Sequence, residues 1–205
     1  REDGSAECWG YDSNGQNTVP ADRYHAVSVG YTFNCGLLDD DTAECWGSNY
    51  YGQLSEPGTT FEQIDLGYYH VCGVALDGTL DCWGYGSGGG SGQPAGAYVE
   101  VSSGDNYSCA LAVDGSVDCW GNEPYGAMNP PGDVFVTIDA GAHHACGITD
   151  LGDVVCWGSC GSGQCTWPGA EFVSLAAGKE HTCGLTANGA VECWGSNSYG
   201  QCSVP

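Results

Sequence analysis

The sequence predicts an all-β repeat protein, stapled by disulfides, whose building unit is 37 residues long. Strict periodicity is the first observation behind this. The Cys-Trp-Gly triplet begins at Cys8, Cys45, Cys82, Cys119, Cys156 and Cys193, always 37 residues apart. A second cysteine series, Cys35, Cys72, Cys109, Cys146 and Cys183, keeps the same step. So do Tyr24, Phe61, Tyr98, Phe135 and Phe172, followed by the aliphatics Val27, Ile64, Val101, Ile138 and Leu175 and the glycines Gly30, Gly67, Gly104, Gly141 and Gly178. Prolines recur at Pro20, Pro57, Pro94, Pro131, Pro168 and Pro205; only Pro124, Pro130 and Trp167 fall outside the two series. Self-similarity at a fixed period is the mark of a repeat architecture. The second observation is that no window sustains a helical period, while each unit carries hairpin chemistry.

Within a unit the elements follow in order. Phe61 to Leu66 is aromatic and aliphatic, reads as a first strand, and is ended by Gly67. His70 to Leu76 and Thr79 to Trp83 flank Asp77-Gly78, which marks a hairpin. The Gly-rich run and proline after Trp83 form the connection to the next unit. The chain thus reads as one domain over 1–205, with a partial repeat at 1–20 and full repeats at 21–57, 58–94, 95–131, 132–168 and 169–205. Residues 1–20 copy the phase of 186–205, so the Cys-Trp-Gly strand is present six times and the other two strands five times. Either a ring holds five blades and a partial one, or neighbouring molecules meet at the mismatch. An unpaired strand edge is a template for association.

The hairpin loop follows from the cysteines. A two-residue Asp77-Gly78 loop would set Cys72 opposite Trp83. A three-residue loop, with Gly78 left-handed, sets it opposite Cys82, within disulfide reach. The expected staples are Cys35–Cys45, Cys72–Cys82, Cys109–Cys119, Cys146–Cys156 and Cys183–Cys193. Each closes a loop of about eleven residues, worth roughly 2–3 kcal/mol in the chain-entropy model. Cys8, Cys160, Cys165 and Cys202 remain, with three connectivities open to them. The pairing chosen is Cys160–Cys165, which is local, with Cys8–Cys202 tying the ends together.

Composition excludes several function classes. Only Arg1, Arg23 and Lys179 are basic against 26 acidic residues, a formal charge of −23. A nucleic-acid binder needs Lys and Arg to neutralise phosphates, and anionic membranes attract the same residues. No apolar run approaches membrane-spanning length, so no membrane insertion is expected. Fourteen cysteines without a Cys-x-x-Cys pair point to disulfides and an extracellular or cell-surface location rather than to zinc. No signal-peptide pattern stands at the start, which reads as a mature or trimmed chain.

The run His181-Thr-Cys-Gly-Leu-Thr-Ala-Asn-Gly-Ala-Val-Glu-Cys-Trp-Gly-Ser-Asn-Ser-Tyr-Gly-Gln, echoed at Trp46-Gly-Ser-Asn-Tyr-Tyr-Gly-Gln53, resembles the repeat of the regulator-of-chromosome-condensation family. The resemblance covers essentially the whole chain. It implies a β-propeller, normally of about seven small antiparallel blades around a central axis. Short cysteine-rich versions resemble bacterial secreted or surface proteins, and a secreted β-lactamase inhibitor uses the same fold. The eukaryotic nuclear member is a nucleotide-exchange factor that docks on chromatin, a role that disulfides and a charge of −23 argue against. The family histidine two residues before the first hairpin cysteine stands at His70, His144 and His181, but is Phe33 and Tyr107 elsewhere.

Candidate site residues are few. The six series tryptophans, Trp9 among them, are expected to pack between blades, and the hairpin histidines to make structural hydrogen bonds. Glu7, Glu44, Asp81, Asp118 and Glu192 share one strand position; Gly36, Gly73, Ala110 and Gly184 oppose the last four, giving a carboxylate room and a repeated structural hydrogen bond. No cofactor is expected, although Asp39-Asp40-Asp41 leaves room for a weak divalent cation. Gly84-Tyr-Gly86-Ser-Gly-Gly89 matches a dinucleotide pattern, but no helix follows to receive a phosphate. With no catalytic motif present, no enzyme activity is expected. The binding surface expected is the aromatic loop face: Tyr51, Tyr125 and Tyr199 at one repeat position, with Tyr31, Tyr68, Tyr69, Tyr107, His143 and His144 at the turn into the hairpin. The leading expectation is an extracellular structural or adhesive propeller that self-associates in a surface assembly or filament. The alternatives are a soluble protein binder, such as an inhibitor of a secreted enzyme, and a glycan-binding protein.

Overall fold

The computed structural model describes residues 3–204, leaving Arg1, Glu2 and Pro205 outside the described residues. Among the described residues, fifteen strands form five three-stranded antiparallel sheets. Blade 1 holds β1 (Tyr24–Val29), β2 (Phe33–Leu38) and β3 (Ala43–Gly47). Blade 2 holds β4 (Phe61–Leu66), β5 (His70–Ala75) and β6 (Leu80–Gly84). Blade 3 holds β7 (Tyr98–Ser103), β8 (Tyr107–Ala112) and β9 (Val117–Gly121). Blade 4 holds β10 (Phe135–Ala140), β11 (His144–Thr149) and β12 (Val154–Gly158). Blade 5 holds β13 (Ser174–Ala177), β14 (His181–Leu185) and β15 (Val191–Gly195). No helix among the described residues is long and apolar enough to cross a membrane. The glycine run after β6 makes only a three-residue 3-10 turn, Gly86–Gly88.

The first strands of consecutive blades lie side by side, and the five turns that follow them line a single cavity of about 500 Å³ at the axis. The architecture is therefore a β-propeller. Glycine is required in those turns because backbone meets backbone. A Cβ on Gly67 would lie 2.6 Å from the carbonyl oxygen of Gly104, and one on Gly141 would lie 2.2 Å from that of Gly178.

Among the described residues no ladder joins neighbouring inner strands, and side chains stitch them instead. Gln63 donates to the Val101 carbonyl at 2.9 Å and accepts from its N–H at 3.0 Å. Asp65 accepts from the Ser103 N–H at 2.7 Å, Glu100 from that of Ile138 at 3.1 Å, and the Ser102 hydroxyl from that of Ala140 at 2.9 Å. Asp139 accepts from Ala177 N–H in the same way. Each bond reaches 38 residues ahead. Buried backbone donors left without a ladder need such partners.

The hairpins have the geometry read from the cysteines. Val74 faces Leu80 and Cys72 faces Cys82. Leu76, Asp77 and Gly78 make the three-residue loop, with Gly78 left-handed at φ 82°. The strands stop at Ala75 and restart at Leu80 because the Asp77 carboxylate takes the Thr79 N–H at 3.0 Å and its hydroxyl at 2.6 Å. All five hairpin disulfides are present, with Cα atoms 4.0–4.2 Å apart. Cys160–Cys165 is also bridged. Cys8–Cys202 is not: both are free thiols. Cys8 lies beside Asn34 of blade 1, whereas Cys202 sits in the loop after blade 5 against the Ser196 carbonyl, so the row of blades separates them.

Gly36, Gly73 and Gly184, which face Glu44, Asp81 and Glu192, and Gly147, which faces Val155, serve a different purpose from the one expected. A bulge after the first residue of β1, β4, β7 and β10 turns the leading aromatic ring onto the middle strand. A Cβ on Gly36, Gly73, Gly147 or Gly184 would lie 2.4 Å from the ring of Tyr24, Phe61, Phe135 or Phe172. Those rings in turn pack on Trp46, Trp83, Trp157 and Trp194 with centroids 5.5–5.6 Å apart. The carboxylates do form structural hydrogen bonds: Tyr24 donates to Glu44, Tyr98 to Asp118 at 2.8 Å, and Thr59 to Asp81 at 2.7 Å.

Tryptophans seal the junctions between blades. The indoles of Trp46, Trp83, Trp120, Trp157 and Trp194 donate to the carbonyls of Gln16, Gln53, Gly89, Ala127 and Gln164 in the loop arriving from the previous unit, at 2.7–3.0 Å. Each large cluster of apolar side chains spans two blades, as where Phe33, Cys35 and Leu37 meet Phe61, Leu66 and Val71. Trp9 is the exception to the packing expected of the series: it is 86% exposed. The outer faces of the end blades are open too. Val27 and Val29 are exposed where Ile64 and Leu66 are buried, and Leu185 and Val191 are exposed where Ile148 and Val154 are buried.

Candidate protein-binding face

The turn after each first strand and the loop after each third strand lie at the same end of the propeller. The loop N–H groups of Ser48, Tyr85, Asn122, Ser159 and Ser196 donate to the turn carbonyls of Thr32, Tyr69, Asn106, His143 and Glu180 at 2.8–3.0 Å. The Gly-Gln at the end of a loop makes it rigid. In blade 1 the buried Gln53 side chain accepts from the Tyr51 N–H at 2.7 Å, while Asn49 accepts from Leu54 N–H at 3.0 Å. Gln16, Gln164 and Gln201 clasp their own loops alike. Two loops keep the shape by other chemistry. After blade 3, Ala127 stands in the glutamine position and the buried Glu123 carboxylate accepts from Tyr125 and Ala127 N–H instead, at 2.7 and 3.1 Å. After blade 4, the Cys160–Cys165 bridge joins the positions that Asn49 and Leu54 occupy.

On this frame the tyrosines of blades 1 and 2 form one continuous surface. Tyr31 stacks on Tyr68 with centroids 4.0 Å apart, and Tyr69 meets Tyr68 edge-on at 4.6 Å. Tyr51 joins Tyr69 and Tyr85 at 4.8 Å each, and Tyr50 extends the chain at 4.8 Å from Tyr51. Tyr31, Tyr50, Tyr51 and Tyr85 are exposed. Tyr31 and Tyr68 also line the axial cavity, together with Asp105 and Lys179. The Tyr68 phenol is held well above its usual range, first by its hydrogen bond with Tyr31 and then by burial. Burial raises the Asp105 carboxyl, while His143 and Lys179 pull it back. A second patch pairs Tyr125 with His143 at 5.1 Å, and His143 Nδ1 lies 3.5 Å from Glu123.

Of the residues expected on this surface, Tyr51, Tyr68, Tyr69, Tyr125 and His143 lie on it, with Tyr31. Sequence reasoning misses Tyr50 and Tyr85, although each sits beside a marked position, Tyr51 or the Trp83-Gly84 pair. Tyr199 is 95% exposed and belongs to no ring cluster among the described residues. Tyr107 and His144 are not surface residues: both are fully buried. The Tyr107 hydroxyl donates to the carbonyls of Gly141 and His144, and His144 Nε2 meets the Thr182 hydroxyl at 2.9 Å, so each ties its blade to the next. His70 does the same with Ser108 at 2.8 Å. Burial lowers His70 and His144 to about 4, so both stay neutral near pH 7. At the Asp39–Asp41 turn, Asp40 accepts from Thr42, Asp39 lies 3.6 Å from Arg23, and Asp41 takes the left-handed position. No three or more His, Cys, Asp or Glu side chains converge to hold a metal ion among the described residues.

The model of the regulator of chromosome condensation (RCC1) repeat matches residues 24–53, 61–93, 98–127, 135–164 and 172–201. The chain belongs to the RCC1 repeat family. Each match begins at the leading aromatic residue of a first strand and ends in the loop after the third strand. Among solved structures, the RCC1-repeat chain is similar to the entire ectodomain of the Physcomitrella patens receptor kinase CR4. The TM-score is 0.83 at 30% identity, over 97% of this chain and 59% of that one. The CRINKLY WD40 ectodomain of the Arabidopsis thaliana receptor kinase ACR4 follows with a TM-score of 0.55 at 26% identity, over 87% of this chain and 81% of that one. Prp20p from Saccharomyces cerevisiae, described with its binding to Gsp1p and histones, shares the fold at a TM-score of 0.77 and 16% identity, over 89% of this chain and 59% of that one. The chain thus spans about three-fifths of the length of the CR4 ectodomain. No curated protein sequence matches it.

Proposed function

We propose that the chain is a non-enzymatic extracellular module that holds a protein partner on the tyrosine face of blades 1 and 2. The observation that carries this reading is the unbroken run of six tyrosines in ring contact, mounted on loops clamped by buried side chains. Tyrosine offers a large, rigid, amphipathic surface at low entropic cost, which suits it to interfaces. The charge of −23 favours a partner with a basic surface. Six disulfides support an oxidising location, as does the likeness to receptor-kinase ectodomains.

The test compares capture of proteins from the extracellular fraction of the source cells by the native protein, by Tyr31→Ser with Tyr68→Ser, and by Tyr199→Ser. The double variant is expected to lose a partner that the native protein and Tyr199→Ser both retain. Equal capture by all three would remove the tyrosine face from the account. A second reading, self-association into a structural or adhesive assembly, is supported by the open outer faces at Val27 and Val29 and at Leu185 and Val191. The net charge opposes it. A concentration-independent monomer in ultracentrifugation at high salt would end that reading.

A further inference from the structure

Departures from the 37-residue period gather between residues 160 and 167. Cys160 and Cys165 stand outside both cysteine series, and Trp167 is the one tryptophan outside the Cys-Trp-Gly series. All three lie in the loop between β12 and β13, at the junction of blades 4 and 5. In three other loops the position of Cys160 holds a hydrogen-bonded clamp. Asn49 accepts from the Leu54 N–H at 3.0 Å, Asp12 from that of Asn17 at 2.8 Å, and Asn197 from that of Cys202 at 2.9 Å. After blade 4 the clamp is the Cys160–Cys165 bridge, and among the described residues no acceptor meets the Cys165 N–H.

This bridge differs from the hairpin staples in access. Cys35, Cys72, Cys109 and Cys146 are fully buried, whereas Cys160 is exposed. Asn49, at the same position between blades 1 and 2, is exposed too although blade 3 stands beyond, so the exposure belongs to the position and not to the end of the row. The middle of the loop is held without the bridge. Gln164 is buried, its side chain accepts from the Ser162 N–H at 2.8 Å, and its carbonyl accepts from the Thr182 hydroxyl at 3.0 Å and the Trp194 indole at 2.7 Å. Beyond Cys165 the chain carries Trp167, which packs half-buried on the cluster of Ile148, Val154 and Phe172 and donates to the Ala170 carbonyl at 2.9 Å.

We propose that Cys160–Cys165 is a thiol-exchange site for small extracellular dithiols, and that its reduction opens the end of the loop that carries Trp167. A thiolate of the dithiol attacks Cys160 Sγ, the bridge breaks, and Cys165 leaves as a thiolate that takes a proton from solvent. The reagent's second thiolate then attacks its own sulfur in the mixed disulfide and expels the Cys160 thiolate. The dithiol ends as a cyclic disulfide and the bridge as two thiols. Exposed disulfides are the readily exchanged ones, while those sealed in a core resist attack. The charge of −23 favours a neutral or cationic reagent over an anionic one. Once the bridge is cut, the Cys165 N–H lacks the acceptor that Asn49 gives Leu54, while the clasp at Gln164 persists, so opening is confined to residues 165–167. The site is separate from the tyrosines of blades 1 and 2, so either reading stands without the other.

The test begins by capping the free thiols Cys8 and Cys202 of the native protein with N-ethylmaleimide, since either could shuffle with the bridge. Dithiothreitol, a neutral dithiol, is then added at a limiting concentration. Released thiols are trapped with deuterated N-ethylmaleimide and located by peptide mapping. Deuterated label at Cys160 and Cys165 is expected to appear roughly ten-fold or more faster than at any hairpin cysteine of blades 1 to 4. Tryptophan emission should shift to the red with the same time course, and the early shift should be absent from Trp167→Phe. The double variant Cys160→Asn with Cys165→Leu, which installs the clamp of blade 1, should also show no early shift. Hairpin bridges cut as fast as Cys160–Cys165 would overturn the exchange site. An early shift undiminished in Trp167→Phe or in the double variant would overturn the opening of the loop.

Discussion

Gly104 has no side chain because its turn has no room for one: a Cβ there would lie 2.5 Å from the Gly141 carbonyl oxygen and 2.0 Å from the Tyr107 ring. Gly104→Ala is therefore expected to cost about 1–3 kcal/mol by overpacking. Gly132→Ala, which meets nothing within 4 Å and whose φ is not left-handed, should be neutral or slightly stabilising. Urea unfolding of the two variants checks the contrast. The buried carboxylates of the inner strands make a second prediction. Burial lifts Asp139 to about 7, while the hydrogen bond from Ala177 works against the rise. Asp65 and Glu100 are raised in the same way, and each lies close enough to be felt by Asp139. A folded-state value above the unfolded one means stability is greatest in acid and is lost as pH rises through about 7. His70 and His144, lowered to about 4, act oppositely: stability rises with pH until the unfolded-state imidazoles have lost their protons, which is complete only about one pH unit above 6.5. Between pH 6.5 and 8 the Asp139 loss, about 1 kcal/mol, is offset by the last of the histidine gain, so the native profile should be nearly flat there and that of Asp139→Asn should rise by about 1 kcal/mol. An unchanged slope in the variant would remove Asp139 from the account. None of this stitching was legible beforehand. One stitching position reads Gln63, Glu100 and Thr137 in successive units and the other Asp65, Ser102 and Asp139, and their partners lie 38 residues ahead.

At the scale of the element, the hairpin was the most legible feature. The left-handed demand on Gly78 and the need for Cys72 to face Cys82 both lie within a few bonds of one turn. Removing one staple, Cys109→Ala with Cys119→Ala, should cost roughly 2–3 kcal/mol, measured by denaturant unfolding without reductant. A loss below about 0.5 kcal/mol would mean that packing, not chain entropy, secures the blade. The bulge at the start of the first strand was not legible, and it changes what the glycine opposite the carboxylate is for. Once the ring of Phe61 turns onto Gly73, the space assigned to Asp81 belongs to the ring. The loops show the converse. Glu123 after blade 3 and the Cys160–Cys165 bridge after blade 4 depart from the repeat in sequence yet preserve its shape, because the same backbone positions are restrained by different groups.

Across the whole molecule, charge and open ends dominate. With 26 acidic and three basic residues, self-repulsion weakens the folded state, so the melting temperature should climb as salt rises from about 10 mM to about 150 mM and the screening length falls from about 30 to about 8 Å. A melting temperature indifferent to salt would mean that the acidic residues are too widely spread to act together. What the sequence by itself determined was the 37-residue unit, its three strands, the hairpin loop and the five staples. All of these rest on periodicity or on residues close along the chain. Only the tertiary structure decided which tyrosines meet, why Tyr107 and His144 are buried while Tyr50 and Tyr85 are at hand, and why Trp9 is exposed when Trp46, in an identical pentapeptide, is not. Each of those outcomes is set by the neighbouring blade, and the surroundings that a residue shares with its repeat equivalents change wherever that neighbour changes.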